Sequence, residues 1–167
     1  CQGMLQAYQE QLNTPDIHQL PFDERFGLLI EREYLERENR KLTNRLRQAK
    51  LKEIACIEDI DYAPERQLSK TVMTRLAECS WIGKKENLLI TGSTGAGKTW
   101  LACALANQAA RLGYGVRYIR LPKLFQEITI AKADGSYIKL MNYVAKLSLL
   151  VLDDWGLAPM TDANRRD

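Results

Sequence analysis

Apolar residues recur at Met4, Leu5, Tyr8 and Leu12, the spacing of one helix face. Thr14-Pro15 interrupts this pattern. Thr14 is placed to cap a short second helix, with Pro15 at its first position. Asp23 then reads as the N-cap of a long helix, because no proline occurs from Phe26 to about Lys52. Glu33/Arg37 and Glu36/Arg40 stand four apart along it, in the favourable order. Leu28, Leu35, Leu42 and Ala49 fall every seven residues, but the companion seam reads Arg32, Asn39, Leu46. That seam is too polar for a good coiled coil, and an amphipathic helix packed on the next domain is the simpler reading.

After Cys56 the texture changes. Ile57 to Tyr62 is acidic with interspersed apolar residues, and Ala63-Pro64 ends it. A domain boundary is expected here, dividing a helical, basic region 1–56 from a core 57–167. Ser69 is placed to cap a helix running to Cys79 with Val72, Met73 and Leu76 inward. Leu88 to Thr91 has the length and apolarity of a strand. Lys98 to Leu112 has helical spacing and stops at Gly113. Gly115 to Leu121 alternates as a strand, with Val116 and Tyr118 on one face and Arg117 and Ile119 on the other. Pro122 opens a helix carrying Leu124, Phe125 and Ile128. Asp134-Gly135 is a turn, and Ser136 is placed to cap a helix with Ile138, Met141 and Val144. Leu149 to Leu152 is wholly apolar, as in a parallel strand buried on both faces. Strands alternating with helices in this order predict an α/β fold with a parallel sheet.

Composition narrows the chemistry. The chain has 167 residues, 46% of them hydrophobic and 27% charged, in the range of ordinary globular proteins. No apolar run approaches the length of a membrane span, and no charged-then-apolar leader opens the sequence. His18 is the only histidine, which excludes zincin-type and His-rich metal sites and leaves almost no room for a Ser-His-Asp triad. Cys1, Cys56, Cys79 and Cys103 are far apart and form no C-x-x-C pair, which fits a reducing, cytoplasmic setting. The net charge of +3 decides little, but its distribution matters more. Between Arg37 and Lys52 stand seven basic residues and one acid, 7 − 1 = +6. Such a run is either a solvated helix face or the footprint of a phosphate-backbone binder. Lys132 and Lys139, around the Asp134-Gly135 turn, are a second candidate contact with nucleic acid.

The chemistry concentrates in Gly92-Ser93-Thr94-Gly95-Ala96-Gly97-Lys98-Thr99, a full G-x-x-x-x-G-K-[ST] motif between a strand pattern and a helix pattern. The glycines let successive backbone N–H groups point at one anion, and the following helix turns its positive end to the same phosphates. Lys98 brings a point charge to the β- and γ-phosphates, and the Thr99 hydroxyl is a ligand for Mg²⁺. Asp153-Asp154 ends the last apolar strand, at the end of a parallel sheet where ligands bind. Asp153 is assigned to the Mg²⁺ shell. Asp154 is assigned to orienting or deprotonating water for attack on the γ-phosphate, its rival role being to cap the segment at Trp155-Gly156. Trp81, Trp100 and Trp155 read as packing residues, and Tyr62 as a residue that could flank adenine.

With these motifs in hand, the chain from about Phe26 to Asp167 resembles the IstB-like ATPases encoded beside the transposase of bacterial insertion sequences. The stretches ERENRKL, IEDIDY, LLITGSTGAGKT, ADGSY and LLVLDDWGLAPMTDANRRD carry the likeness. A more distant similarity is to the DnaC and DnaA clade of AAA+ proteins. The resemblance implies a P-loop NTPase (AAA+) fold, a three-layer parallel sheet preceded by a helical N-terminal segment. It implies an ATPase using ATP and Mg²⁺, and a homo-oligomer assembled on double-stranded DNA without sequence preference that recruits a cognate transposase. A DnaC-type helicase loader is the alternative. Gly92 to Thr99 become the Walker A loop, Asp153 the Mg²⁺-associated carboxylate, and Asp154 the catalytic one, where many AAA+ proteins carry Glu. The chain opens on Cys1 and ends at Asp167 in what reads as a helix start. A fragment is therefore expected, with the sheet incomplete at its C-terminus and ATP turnover absent without the rest of the domain.

Overall fold

A computed structural model describes residues 1–156. The helix start expected near the C-terminus and the stretch LAPMTDANRRD lie outside the described residues. The chain forms two compact units, Cys1–Asn44 and Arg45–Asp167. Residues 45–56, which sequence texture groups with the N-terminal region, thus belong to the second unit.

The first unit is built from α1 (Gln2–Leu12) and most of α2 (Phe22–Ala49). The helices meet at Gly3. A Cβ there would lie 2.9 Å from both the Arg32 carbonyl oxygen and the Glu36 Cβ, so only glycine permits this approach. Glu33, buried on α2, closes the first turn of α1 by accepting a hydrogen bond from the Met4 N–H at 3.2 Å. It also accepts from Arg37 Nε at 2.7 Å. The Arg37 hydrogen bond, with that from Met4, holds the Glu33 carboxyl down at about 2.

Two expectations for this region are corrected. Asp23 lies inside the first turn of α2 and is not its cap, because the Pro21 carbonyl already accepts from the Arg25 N–H. Its charge there still favours the positive helix end. Thr14 caps no α-helix. Its hydroxyl donates to the Glu10 carbonyl at 2.8 Å, and only a 3₁₀ turn, Ile17–Gln19, follows.

The second unit begins with the last turn of α2, which ends where Lys50 takes a left-handed φ of 49°. Ala49 is fully buried against Ala106, Ala109 and Ala110 of α5 (Lys98–Arg111). Before α5 come α3 (Lys70–Ala77) and the single turn α4 (Ser80–Gly83). Ser69 caps α3, accepting from the Val72 N–H at 3.4 Å. Met73 is buried and Leu76 packs against its cluster, but Val72 faces solvent, a correction to its expected inward position.

Strands β1 (Val116–Arg120) and β2 (Leu149–Asp153) pair in parallel, Val116 opposite Leu149 and Arg120 opposite Asp153. The crossover between them runs through α6 (Leu121–Asp134) and α7 (Tyr137–Ala145). Small residues of α5 lie over one face of this sheet, with Val116 buried beside Ala106, Ala109 and Ala110, and Tyr118 beside Cys103 and Ala104. Strand alternation puts Ile119 on the other face, where it too is buried.

Leu88 to Thr91 forms no β-ladder, correcting the expected strand. Among the described residues only β1 and β2 pair, so this run lacks a partner, and Leu89 is 83% exposed. For the same reason β2 is half-buried along its whole length and not covered on both faces. No helix among the described residues is long and apolar enough to cross a membrane.

Candidate functional site

The glycine-rich run wraps the N-terminus of α5. Gly95 (φ 82°) and Gly97 (φ 85°) take left-handed backbone that side-chain-bearing residues resist, and Gly97 is the N-cap of α5. The first N–H groups of the helix lack partners within it and open toward the loop. Lys98 folds back over the same loop, and its Nζ donates to the Gly92 carbonyl at 2.9 Å and the Ser93 carbonyl at 2.7 Å. The Lys98 ammonium is thus held at the start of the run, by Gly92 and Ser93, while Thr94, Gly95, Ala96 and Gly97 complete the loop into α5.

One residue further, the Thr99 hydroxyl donates to Asp153 Oδ2 at 2.8 Å. This bond joins residues 54 positions apart and brings the two halves of the predicted site together. Parallel register explains it. Asp153 falls on the same face of the sheet as Val116 and Tyr118, the face that α5 covers.

Asp153 has two further partners. The Tyr118 hydroxyl donates to Oδ2 at 2.6 Å, and the Asp154 N–H donates to Oδ1 at 2.9 Å. Burial pushes the Asp153 pKa up. The hydrogen bonds from Tyr118, Thr99 and Asp154, with the charge of Lys52, outweigh it and leave the carboxyl below its ordinary value. Burial, followed by the Asp153 hydrogen bond, pushes the Tyr118 phenol well up, so it stays a donor. Tyr118 and Lys52 are the neighbours that sequence reasoning missed. Alternation placed Tyr118 on the correct face, but only the register of β1 against β2 brings it to Asp153.

Asp154 stands beyond the strand with a left-handed φ of 59°, its carboxylate 3.7 Å from Arg120. A Thr hydroxyl whose proton is already given to a carboxylate keeps its oxygen lone pairs for a hard cation, and the adjoining carboxylate supplies oxygen and charge. This donor set fits Mg²⁺.

The other candidates are not gathered here. Tyr62 packs near Ile60, Met73 and Leu105, with Lys70 6.0 Å over its ring. Trp81 and Trp100 pack against buried clusters as expected, but Trp155 is 65% exposed, a correction. The basic run is largely engaged within the protein. Arg37, Arg40 and Lys41 pair with Glu33, Glu36 and Glu38, two of which lie upstream of the counted window. Arg45 donates from Nε to the Ala110 carbonyl at 2.8 Å, at the C-terminal end of α5. Lys132 sits 5.5 Å over the Tyr137 ring. Lys139 and Lys146 instead line an open depression on α7 with Gly135, Ile138, Asn142 and Tyr143.

A glycine loop at a helix N-terminus, joined through a threonine to the carboxylate ending a parallel strand, defines the P-loop class of nucleotide-binding proteins. Residues 1–167 match the family described as IstB-like ATP binding protein, and the chain belongs to that family, which implies a P-loop NTPase fold. It is 46% identical over 166 residues to "Insertion sequence IS1162 putative ATP-binding protein" of Pseudomonas fluorescens, covering 99% of this chain and 72% of that one. It is 43% identical over 165 residues to "Putative insertion sequence ATP-binding protein y4pL" of Sinorhizobium fredii, covering 99% of this chain and 67% of the relative.

Proposed function

We propose that this chain is the ATP-dependent, DNA-binding part of a transposition helper, with an AAA+ core formed by residues 57–167 that follows the helical region 1–56 along the chain. The Thr99–Asp153 hydrogen bond carries the reading, because it joins the phosphate loop to the strand-end carboxylate. The names of the relatives tie such ATP-binding proteins to insertion sequences.

In this reading, the N–H groups of Gly92 to Thr99 and the positive end of α5 bind the phosphates of ATP. Lys98 exchanges its carbonyl partners for the β- and γ-phosphates. Thr99 and Asp153 hold Mg²⁺, which supplies charge neutralisation at the phosphates. Asp154, once turned from Arg120, accepts the proton of the attacking water. Lys139 and Lys146 are put ahead of the α2 run as the cations that meet double-stranded DNA, since Arg37, Arg40, Lys41 and Arg45 of that run already have partners within the protein. Homo-oligomerisation on DNA, recruitment of a cognate transposase and a cytoplasmic location complete the proposal.

The test measures binding of a fluorescent ATP analogue and ATP turnover, with and without duplex DNA and Mg²⁺. Mg²⁺-dependent binding is expected, and Asp154→Asn should keep it while slowing turnover in protein that hydrolyses ATP. Binding indifferent to Mg²⁺, or full turnover in Asp154→Asn, overturns the assignment. A pull-down capturing a replicative helicase and no transposase would overturn the transposition role.

A further inference from the structure

Asp153 is held by more than the motif that predicts it. Its Oδ2 receives two hydroxyl protons, from Thr99 at 2.8 Å and from Tyr118 at 2.6 Å, while Oδ1 takes the Asp154 N–H at 2.9 Å. The Tyr118 ring reaches this point from the middle of β1, opposite Val151 and two positions before the residue opposite Asp153. It is only 7% exposed and seated among Ala55, Cys103 and Ala104, all fully buried. Those three small side chains leave room for an aromatic ring beneath α5, and its hydroxyl donates past them to the strand-end carboxylate. Asp153 is the partner that the structure gives it.

We propose that Tyr118 is a positioning residue for the metal carboxylate, fixing the rotamer of Asp153 so that its charge is aimed before Mg²⁺ and nucleotide arrive. This rests on the assignment of Asp153 to the Mg²⁺ shell made above. The physical argument is preorganisation. A carboxylate at the end of a half-buried strand rotates about its side-chain bonds unless each oxygen is held, and groups that orient metal ligands change metal affinity by about 10- to 100-fold. Thr99 cannot do this alone, because its oxygen is itself a proposed ligand and its hydroxyl adjusts when a cation binds. Tyr118 approaches from the protein side, on a rigid strand, and takes no part in the cation's own shell. The fixed ring therefore makes the orientation of Asp153 independent of the ligand.

The experiment compares the full chain with Tyr118→Phe, which keeps the ring and removes only the hydroxyl. Binding of a fluorescent ADP analogue is titrated with and without Mg²⁺. The Mg²⁺ concentration for half-maximal effect should rise about tenfold in Tyr118→Phe, with affinity in Mg²⁺-free buffer unchanged and the melting temperature close to that of the parent. In an Asp153→Asn background the same substitution should add nothing further. An unchanged Mg²⁺ requirement, or equal losses with and without Mg²⁺, overturns the positioning role. If Asp153→Asn itself leaves the Mg²⁺ effect intact, the metal assignment has failed, whatever Tyr118 does. Should Tyr118→Phe fold poorly, 3-fluorotyrosine at position 118 serves instead. Its ¹⁹F resonance should move on adding Mg²⁺ with ADP in the parent and stay fixed in Asp153→Asn. A resonance indifferent to Mg²⁺ in a parent that binds it overturns the proposal.

Discussion

Replacing Arg45 with Met separates a structural cation from a DNA-binding one. Arg45 is one of seven basic residues between Arg37 and Lys52, and charge alone marks it as a phosphate contact. In the structure its Nε donates to the Ala110 carbonyl at 2.8 Å, beside the negative end of α5. A hydrogen bond from a charged donor contributes about 1.5–3 kcal/mol, and a cation near a helix C-terminus about 0.3–1 kcal/mol. These overlap, since one interaction supplies both. The Ala110 carbonyl also accepts from the Gly113 N–H at 3.1 Å, so it is not orphaned when Arg45 goes. The lower part of the range applies, about 1.5–2 kcal/mol, because methionine keeps the packing of the stem. For a chain of this size that lowers the melting temperature by about 3–8 °C. Calorimetry measures this, and duplex binding at several salt concentrations gives the slope of log affinity against log salt. Arg45→Met should lose stability and keep its slope. Neutralising Lys139 and Lys146 together should keep stability and flatten the slope by up to about 0.9 for each DNA phosphate left without its cation. An Arg45 variant of unchanged stability with a flattened slope would refute the reasoning.

Three further outcomes are expected. Lys98→Ala should weaken nucleotide affinity at least about tenfold, or roughly 1.4 kcal/mol, by equilibrium titration; unchanged affinity would remove Lys98 from the phosphate site. Arg120→Ala should raise ATP turnover at fixed nucleotide affinity in protein that hydrolyses ATP, since it frees Asp154 from its 3.7 Å ion pair, and a fall in turnover would show that Arg120 assists the reaction. Glu33 has a folded pKa of about 2 against an ordinary 4.5, so its contribution to stability is present above 4.5 and is lost as pH falls through about 2. Glu33→Gln should flatten acid unfolding followed by circular dichroism across that window, and an identical acid profile would show that the carboxylate contributes nothing.

What was legible in the sequence follows the range of the interactions. The phosphate loop and α5 were readable because loop, N-cap and helix lie within one local run from Gly92 to Arg111. Asp153 was readable because a wholly apolar strand ended in a carboxylate. Tyr118 was not, since alternation gives the face of a strand but not which residue on the next strand it meets. That depends on the pairing of Arg120 with Asp153, which joins strands separated in the chain by α6 and α7. The expected strand at Leu88 to Thr91 shows the same limit from the other side. Apolarity marks a segment suited to a sheet, whereas a ladder needs a neighbour, and none pairs with it among the described residues. The α2 charges show it again. A window from Arg37 to Lys52 counts +6, but a helix pairs residues four apart, so Glu33 and Glu36, just outside the window, neutralise Arg37 and Arg40 inside it. Arg45 finds its partner 65 residues away, where no count along the chain reaches. Electrostatic footprints are therefore better judged after such partners are counted: on this protein they take Arg37, Arg40 and Arg45 out of the α2 run, which weakens the case for α2 and brings Lys139 and Lys146 forward as the proposed DNA contact.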